Sequence, residues 1–401
     1  MTSALFHSAF GLLGGAEVLA VTHARCLQNA NVDLCLATLE LDRARWSSWL
    51  EGIPVRVVKK APLIDSVMSS VRRLQRISPR VAACLSDCRT VLAGNYPTNV
   101  LLGGAQIDAR KAWFCNEPYR DSHLEGANPR LYERIVNHPG GTSAAELNLA
   151  RRMASPKRKR KPMVDLVNYD IAQTRKIHAF YANSEFSCET IRRVYGISNA
   201  KVLYPIVRFP SHVAAHRSGL DRRGLQVLIH SRLEAVKNVD NVLRAFALHA
   251  ATDPGARLHV VGEGRDQDNL HRLRDELGLG QLVTFHGYLS EEKLNAVYAA
   301  CDVFALVPID EPFGMVFPEA AARGLLLVGP DHGGPFEIID GGKLGWACDP
   351  FSPDSIAEAF AEIWALSDTE VDRRRAAADQ GCRARYSESA IGPQLVEVFS
   401  D

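Results

Sequence analysis

Short apolar runs alternate with amphipathic segments along the first half of the chain. Runs rich in β-branched and aromatic residues predict strands at 4–9, 32–39, 54–58, 90–93, 112–115 and 179–183. Amphipathic segments predict helices at 16–29 and 185–195. Repeated alternation of strand and helix favours a mostly parallel sheet, because parallel strands need a crossover connection between them.

The second half of the chain repeats this pattern. Strands are predicted at 225–229, 257–261, 283–285, 302–307 and 325–328, and helices at 240–251, 266–277, 290–300, 319–323 and 353–366. The polar residues 208–223 show no periodicity and predict a linker between the halves. Two such halves in 401 residues predict an α/β protein of two domains, because one core is seldom this large.

A polar stretch at 138–163 interrupts the alternation in the first half. Seven of the eleven residues from Arg151 to Lys161 are Lys or Arg. A run of this kind is most often a solvated loop or helix face. The alternative is a contact with an anionic acceptor or an anionic membrane surface, where each basic residue contributes about 1 kcal/mol.

Composition narrows the class of protein. The formal net charge of +1 and the charged fraction of 23% do not indicate a nucleic-acid-binding protein. No apolar run approaches the roughly 20 residues that span a bilayer, and no secretory signal is visible. Nine scattered cysteines suit reduced thiols. We expect a cytoplasmic protein, free or held peripherally at the inner face of the membrane through Arg151–Lys161.

The most informative segment runs from the apolar residues 302–307 into a helix-favouring run at 319–323. The loop between them should lie at the carboxyl edge of a parallel sheet, where ligands bind. Backbone amides near Gly314, Met315 and Val316 would face an anion at the helix N-terminus. The carboxylates of Glu311 and Glu319 can accept hydrogen bonds from hydroxyls. Phosphate and hydroxyl recognition together predict a site for a nucleotide sugar.

Glu311 and Glu319, with seven residues between them, resemble the Glu-x7-Glu motif of retaining glycosyltransferases of family 4. Four further blocks resemble this family in the expected order: Gly14–Glu17, Ser231–Leu233 with Lys237–Asn238, Val261–Gly264 and Phe285–Leu289. The resemblance implies a GT-B fold, in which two Rossmann-like β/α/β domains face a central cleft and a C-terminal helix crosses back to the N-terminal domain. The implied parts are an acceptor domain at 1–207, a linker at 208–223, a donor domain at 224–380 and a crossover segment at 381–401.

The resemblance also assigns roles to residues. Arg232 and Lys237 would stabilise the leaving diphosphate, and Glu311 would hold hexose hydroxyls. The implied donor-binding residues are Gly14, Gly15, Gly262, Leu289, Phe313, Gly314, Met315, Val316 and Glu319. The alternative for Arg232 and Lys237 is a solvated pair at a strand-to-helix turn, and for Glu319 it is an acid that balances a helix dipole.

One departure from the family stands in the N-terminal half. Asn116 occupies the position where family members often carry a histidine that touches the donor sugar, and an amide cannot titrate. Glu117 and Arg120 are alternative polar groups for the acceptor or the sugar.

The resemblance implies transfer of a hexose, with retention, from GDP-mannose or a UDP-hexose to a saccharide or lipid-linked acceptor in polysaccharide or glycoconjugate assembly. Neither a metal nor a cofactor is implied. A nucleotide-sugar-binding pseudo-enzyme and a sugar-nucleotide epimerase of related fold are the alternatives.

Overall fold

The computed structural model describes residues 2–11, 14–58, 70–119, 123–137, 143–155, 161–210 and 218–400. Some residues named above lie outside the described residues: Arg120, residues 138–142 and 156–160 of the polar stretch, and residues 211–217 of the predicted linker. The chain forms two compact units. Unit 1 comprises Met1–Asn128, Ala154–Arg208 and Tyr386–Asp401, and unit 2 comprises Pro129–Met153 and Phe209–Arg385.

Strands and helices alternate through both units. The strands are β1 Ser3–Phe10, β2 Leu34–Leu41, β3 Val55–Val57, β4 Thr90–Ala93, β5 Arg110–Cys115, β6 Ala179–Ala182, β7 Lys201–Val202, β8 Gln226–His230, β9 Arg257–Val261, β10 Val283–Gly287, β11 Val303–Ala305, β12 Leu326–Pro330 and β13 Trp346–Cys348. The helices are α1 Gly15–Asn29, α2 Arg43–Trp46, α3 Val71–Cys84, α4 Thr98–Gly104, α5 Leu124–Ala127, α6 Pro129–Asn137, α7 Ala144–Ala154, α8 Lys161–Thr174, α9 Glu185–Tyr195, α10 Val239–Ala250, α11 Gln267–Glu276, α12 Glu291–Ala300, α13 Val316–Ala322, α14 Gly334–Ile338, α15 Pro353–Trp364, α16 Asp368–Tyr386 and α17 Glu388–Glu397.

Unit 1 is built on a seven-stranded parallel sheet with the order β3-β2-β1-β4-β5-β6-β7. Nearly every residue of the interior strand β1 is buried, as expected where helices cover both faces of a parallel sheet. Separate apolar clusters fill the two faces. The strand order reverses between β1 and β4, so the carboxyl ends of these two strands border the crevice where ligands bind in such folds.

Unit 2 is built on a six-stranded parallel sheet with the order β10-β9-β8-β11-β12-β13. The buried residues of β8 and β11 place these strands at its centre. The order reverses between them, and the loops that follow β8 and β11 therefore diverge at the carboxyl edge. Two parallel, doubly wound α/β domains confirm the predicted fold class.

The C-terminal helix α17 belongs to unit 1. Ile391 and Leu395 are buried in the same apolar cluster as Leu5 and Leu27, which come from β1 and α1. The chain enters this unit where the amide of Val207 donates to the carbonyl of Tyr386, at 2.9 Å. The helix that the resemblance assigns to the N-terminal domain therefore packs in the core of unit 1.

The division of the chain departs from the predicted boundaries in one respect. Residues 129–153 were predicted within the N-terminal domain, yet they belong to unit 2. Two backbone amides explain this placement: Leu131 donates to the carboxylate of Asp310 at 3.3 Å and Ala144 to that of Asp240 at 2.8 Å. The stretch that interrupts the sequence pattern is also partly ordered, because α7 begins with a capping box in which Ser143 and Glu146 each accept from the other's backbone amide.

Several short or polar elements escaped the sequence pattern. Strands β7 and β13 have only two and three residues, and helices α3, α4, α6, α7 and α8 were not predicted. No helix among the described residues is long and apolar enough to cross a membrane.

Candidate functional site

Two loops at the carboxyl edge of the unit 2 sheet meet through an ion pair. Lys237 ends the 3-10 turn Ala235–Lys237 that follows β8, and Glu311 lies in the loop after β11. The Nζ of Lys237 lies 2.6 Å from Oε2 of Glu311, and the two side chains are 19% and 16% exposed. The structure therefore brings two of the predicted catalytic residues into contact at the point where the strand order reverses.

The turn that carries Lys237 is held by its neighbour Asn238. Asn238 has a left-handed backbone, with φ of 58°, and its buried amide donates to the carbonyls of Val307 and Pro350 at 2.9 and 2.7 Å. The amide of Ile309 donates to the carbonyl of Val236 at 3.1 Å. These bonds join the turn to the chain that leaves β11, so the spacing between Lys237 and Glu311 is set by backbone contacts.

Contacts of Asp310 and of the Glu311 carbonyl hold the loop that carries Glu311 in place. Asp310 is buried and left-handed, with φ of 52°, and its carboxylate lies 3.3 Å from Nε2 of His332. The carbonyl of Glu311 accepts from the amide of Gly334 at 2.9 Å. Gly333 has φ of +82°, and a Cβ there would lie 2.8 Å from the same carbonyl. Glycine is thus required at position 333 because its backbone closely contacts the loop that carries Glu311.

Arg232 is exposed just beyond the end of β8. Its segment packs against the loop after β9, where Gly262 has φ of +122° and a Cβ would lie 1.9 Å from the carbonyl of Ser231. The amide of Leu233 donates to the carbonyl of Glu263 at 2.9 Å. Gly262 therefore acts by allowing two loops to approach, which places Arg232 at the sheet edge.

The block Phe285–Leu289, which contains the predicted donor residue Leu289, is hydrogen-bonded to the same loop. Oε1 of Glu263 accepts from the amide of Tyr288 at 3.3 Å, and the amide of Gly262 donates to the carbonyl of Gly287 at 2.9 Å. Leu289 is half-buried, whereas the ring of Tyr288 is 76% exposed. The exposed ring places Tyr288 on the surface rather than in the core.

The segment from Phe313 to Glu319 forms the start of α13. Phe313 is buried, so only its backbone is available to a ligand. Gly314 has φ of +93°, and Met315 caps the helix without a side-chain hydrogen bond. Val316 and Glu319 are half-buried in the first turn of this helix. The predicted donor contacts of Phe313, Gly314, Met315 and Val316 stay predictions, and for Phe313 they would involve the backbone rather than the buried ring.

A partly buried pair near Glu319, His230 and Tyr298, belongs to no motif in the sequence. His230 ends β8, and its Nδ1 lies 2.9 Å from the hydroxyl of Tyr298 in α12. Burial lowers the pKa of His230 to about 4, with a further contribution from the charge of Arg323. Burial also raises the pKa of Tyr298, and the charge of Glu319 adds to this. Both groups are therefore neutral near pH 7, and the only signal in the sequence was a histidine within an apolar strand.

The remaining predicted residues belong to unit 1. Gly14 precedes α1 in an extended conformation, and a Cβ at Gly15 would meet no atom within 4 Å, so sterics do not require glycine at Gly15. The carbonyl of Asn116 accepts from the side-chain amide of Asn183 at 3.1 Å. Glu117 is half-buried beside it. Arg120 lies outside the described residues.

A small cavity lies next to Asn116 in unit 1. It measures about 30 Å³, and its lining includes Asn116, His7 and His23. His7 is paired with Glu17, with 3.5 Å between Nε2 and Oε1. His7 lies in β1 and His23 in α1, and neither imidazole belongs to a motif in the sequence.

Comparison with known sequences supports a relationship over the second half of the chain. A family model described as "Glycosyl transferases group 1" matches residues 215–380. Mannosylfructose-phosphate synthase of Agrobacterium fabrum is 34% identical over 161 residues, which are 38% of this chain and 35% of that protein. D-inositol 3-phosphate glycosyltransferase of Corynebacterium aurimucosum is 30% identical over 194 residues, 45% of each chain. The matched region thus spans less than half of these curated relatives.

Comparison with solved structures extends the likeness to the whole chain. The Anabaena protein Alr3699/HepE in complex with UDP and glucose has a TM-score of 0.70 at 21% identity, with all of both chains covered. Sucrose-phosphate synthase of Thermosynechococcus elongatus has a TM-score of 0.71 at 15% identity, covering 100% of this chain and 98% of the other. At these identities the likeness concerns the fold. The chain therefore has the GT-B fold of these proteins, and its residues 215–380 match the model of glycosyl transferases group 1.

Proposed function

We propose that this protein is a retaining glycosyltransferase that moves a hexose from a nucleoside-diphosphate sugar to an acceptor hydroxyl. The observation that carries the proposal is the contact between Lys237 and Glu311 where the strand order of unit 2 reverses. A cation for phosphate and a carboxylate for sugar hydroxyls stand side by side there. Membership of the more specific family 4 is part of the proposal and rests on the spacing of Glu311 and Glu319.

Different residues of unit 2 bind different parts of the donor. Arg232 and Lys237 bind the diphosphate, since a guanidinium can fork two oxygens and an ammonium acts as a point charge. Glu311 accepts from hexose hydroxyls and Glu319 from the ribose. The backbone of Gly262, Leu289 and the Phe313–Val316 segment lies along the nucleotide. In unit 1, the backbone of Gly14 and Gly15 binds the donor, and Asn116 and Glu117 contact the sugar or the acceptor.

The chemical step is a front-face displacement. The bond between the anomeric carbon and the phosphate oxygen breaks, and the acceptor oxygen bonds to the same face of the anomeric carbon. The acceptor proton passes to the departing phosphate oxygen, so no enzyme nucleophile is consumed. Arg232 and Lys237 stabilise the charge that builds on the diphosphate, which is usually the largest contribution to catalysis of this kind. No metal is assigned to the step.

The relatives suggest the classes of substrate. We propose GDP-mannose or a UDP-hexose as donor, because one curated relative is named as a GDP-mannose-dependent mannosyltransferase and one structural neighbour is solved with UDP-glucose. The acceptor is a saccharide or a lipid-linked saccharide in polysaccharide or glycoconjugate assembly. The protein acts in the cytoplasm, and the basic run Arg151–Lys161 contacts anionic lipid at the inner face of the membrane when the acceptor is lipid-linked.

The decisive experiment is calorimetric binding of a panel of nucleotide sugars to the protein and to Arg232→Ala and Glu319→Ala. Two matched controls are available in unit 2: Arg223, whose side chain is 90% exposed, and Glu291, an exposed acid in the first turn of α12. Substitution of either by Ala should leave binding unchanged.

Binding of one donor that is lost in both site variants and kept in both controls would support the proposal and identify base and sugar. Failure of every donor to bind to correctly folded protein would refute it. Binding without transfer to any acceptor would favour a pseudo-enzyme, and conversion of the donor sugar without acceptor would favour an epimerase.

A further inference from the structure

A second cavity in unit 2 is bordered by the helices α7, α10 and α11. It measures about 310 Å³ and lies on the side of the β8 and β9 loops where α10 and α11 begin. Ligand pockets in proteins have volumes of about 300–1,000 Å³, so this one suits a small molecule. None of the residues assigned above to the donor lines it.

The lining contains a buried carboxylate with unused hydrogen-bonding capacity. Asp240 is only 4% exposed, and its Oδ2 accepts from the amide of Ala144 at 2.8 Å. Its Oδ1 is buried and has no hydrogen-bond partner among the described residues, and the same holds for Nε of Arg244. Burial raises the pKa of Asp240, with the amide of Ala144 opposing that rise. Buried polar atoms are rarely left unpaired, so a donor and an acceptor supplied by a ligand would satisfy this corner.

The charges around the cavity indicate what kind of ligand fits. Three guanidinium groups face three carboxylates, so the lining has no net charge: Arg151, Arg244, Arg272, Asp240, Asp266 and Glu276. A phosphate-rich ligand would meet the three carboxylates, and an organic cation would meet the three guanidinium groups. A neutral polyol uses both, because each hydroxyl donates to a carboxylate and accepts from a guanidinium.

Amide and apolar groups complete the lining. Asn148 and Asn269 add side-chain amides, and Leu147, Leu270 and Leu273 supply apolar surface. A sugar ring presents hydroxyls at its edge and C–H groups on its faces, and such a lining suits both. The volume is near the lower end of the range for ligand pockets and corresponds to one or two sugar rings.

We propose that the cavity bordered by α7, α10 and α11 binds a neutral saccharide of one or two rings, as a second sugar site apart from the donor residues. This proposal depends on the proposed function only for the identity of the saccharide in the cavity. That saccharide is either a distant part of the acceptor glycan or a free sugar. Residues 129–153 thus serve to build this site, because α7 supplies Ala144, Leu147 and Asn148 to it.

The test is saturation-transfer NMR with methyl α-mannoside, sucrose and maltotriose as probes, without nucleotide. Leu147→Trp fills the cavity, and Leu248→Trp is its matched control, since the two leucines are 44% and 49% exposed and only Leu147 lines the cavity. Asn148→Ala removes one amide. We expect saturation transfer from the protein to at least one probe in the native protein and in Leu248→Trp. This signal should be lost in Leu147→Trp. Asn148→Ala should bind the probe about tenfold more weakly.

Equal transfer to a probe in Leu147→Trp and the native protein would overturn the proposal, as would no transfer to any probe. Thermal unfolding and calorimetric binding of the nucleotide sugars are measured in parallel. A failure of the donor site would therefore appear as lost nucleotide binding with saccharide binding intact, and the reverse would identify a failure of this proposal alone.

Turnover assays then separate the two sources of the sugar. If the occupant is part of the acceptor, Leu147→Trp should lower the rate with long acceptors and spare single-sugar acceptors. If the occupant is a free sugar, an added probe should change the rate with single-sugar acceptors in the native protein and in Leu248→Trp, but not in Leu147→Trp. A cavity that binds a probe yet alters neither rate would overturn both roles.

Discussion

Lys237 and Glu311 are 74 residues apart in the chain, yet Nζ of one lies 2.6 Å from Oε2 of the other. Each is anchored by a hydrogen bond to another segment: the side-chain amide of Asn238, next to Lys237, donates to the carbonyl of Val307, and the carbonyl of Glu311 accepts from the amide of Gly334. The pair couples the residue assigned to the diphosphate with the residue assigned to the hexose. When a nucleotide sugar binds here, the ammonium group of Lys237 must interact with the phosphate as well as with Glu311.

A double-mutant cycle should detect this coupling. We expect Lys237→Met and Glu311→Gln each to weaken donor binding. In urea unfolding, the two substitutions should show a coupling energy of about 1–2 kcal/mol in the free energy of unfolding, because both charges are largely shielded from water. The exposed pair Lys343 and Asp340 is the control, with far smaller coupling expected. Strictly additive effects at Lys237 and Glu311 would contradict the contact.

Gly262→Ala should be among the most destabilising single substitutions in unit 2. The new Cβ would meet the carbonyl of Ser231 at 1.9 Å in a backbone with φ of +122°, so we expect a loss of about 3 kcal/mol or more in the free energy of unfolding. Gly278→Ala is the control, because Gly278 also has a positive φ but open space around it, and it should cost about 1 kcal/mol. Similar losses in the two variants would show that the contact with Ser231 is not tight.

The stability of unit 1 should fall in mild acid because of His23. Burial lowers the pKa of this imidazole from 6.5 to about 4, so between these pH values the unfolded chain binds a proton that the folded chain does not. The contribution of His23 is complete above about pH 6.5 and is lost as the pH falls towards 4. At pH 5 the loss is about 2 kcal/mol.

His23→Leu should remove that part of the pH dependence. Urea unfolding of the native protein and the variant at pH 7 and pH 5, followed by a probe in unit 1, makes the comparison. The native protein should lose about 2 kcal/mol more than the variant between the two pH values. Parallel losses would mean that His23 is protonated in the folded state.

A buried ion pair at the base of the unit 2 sheet should contribute strongly to stability. Asp302 is fully buried, accepts from the amide of Gln226 at 3.1 Å and lies 3.3 Å from Nη2 of Arg375. Arg375→Met should cost about 3–5 kcal/mol, because it leaves a buried carboxylate without its counter-ion. Arg373→Met is the matched change on the same helix at an exposed position, and it should leave the unfolding midpoint nearly unchanged. Equal midpoints for the two variants would refute the assignment.

Local patterns in the sequence were sufficient for the framework of the fold. Helix α9 and strands β4 and β9 have the predicted bounds. Helices α1 and α12 differ by one residue at one end, and α10 and α11 by one residue at each end. The reason is physical: apolar periodicity and turn residues act within a few positions of the chain. The spacing of Glu311 and Glu319 on either side of a helix start is likewise local, and it was available from the sequence.

The tertiary structure decided everything that depends on residues far apart in the chain. The pairing of Lys237 with Glu311, the left-handed Asp310 and the placement of residues 129–153 in unit 2 follow from contacts between separate segments. Periodicity carries no information about which loops meet. Asp240 illustrates the difference: its sequence position predicts a helix start, whereas only the folded chain shows that it holds the amide of Ala144 and lines a cavity.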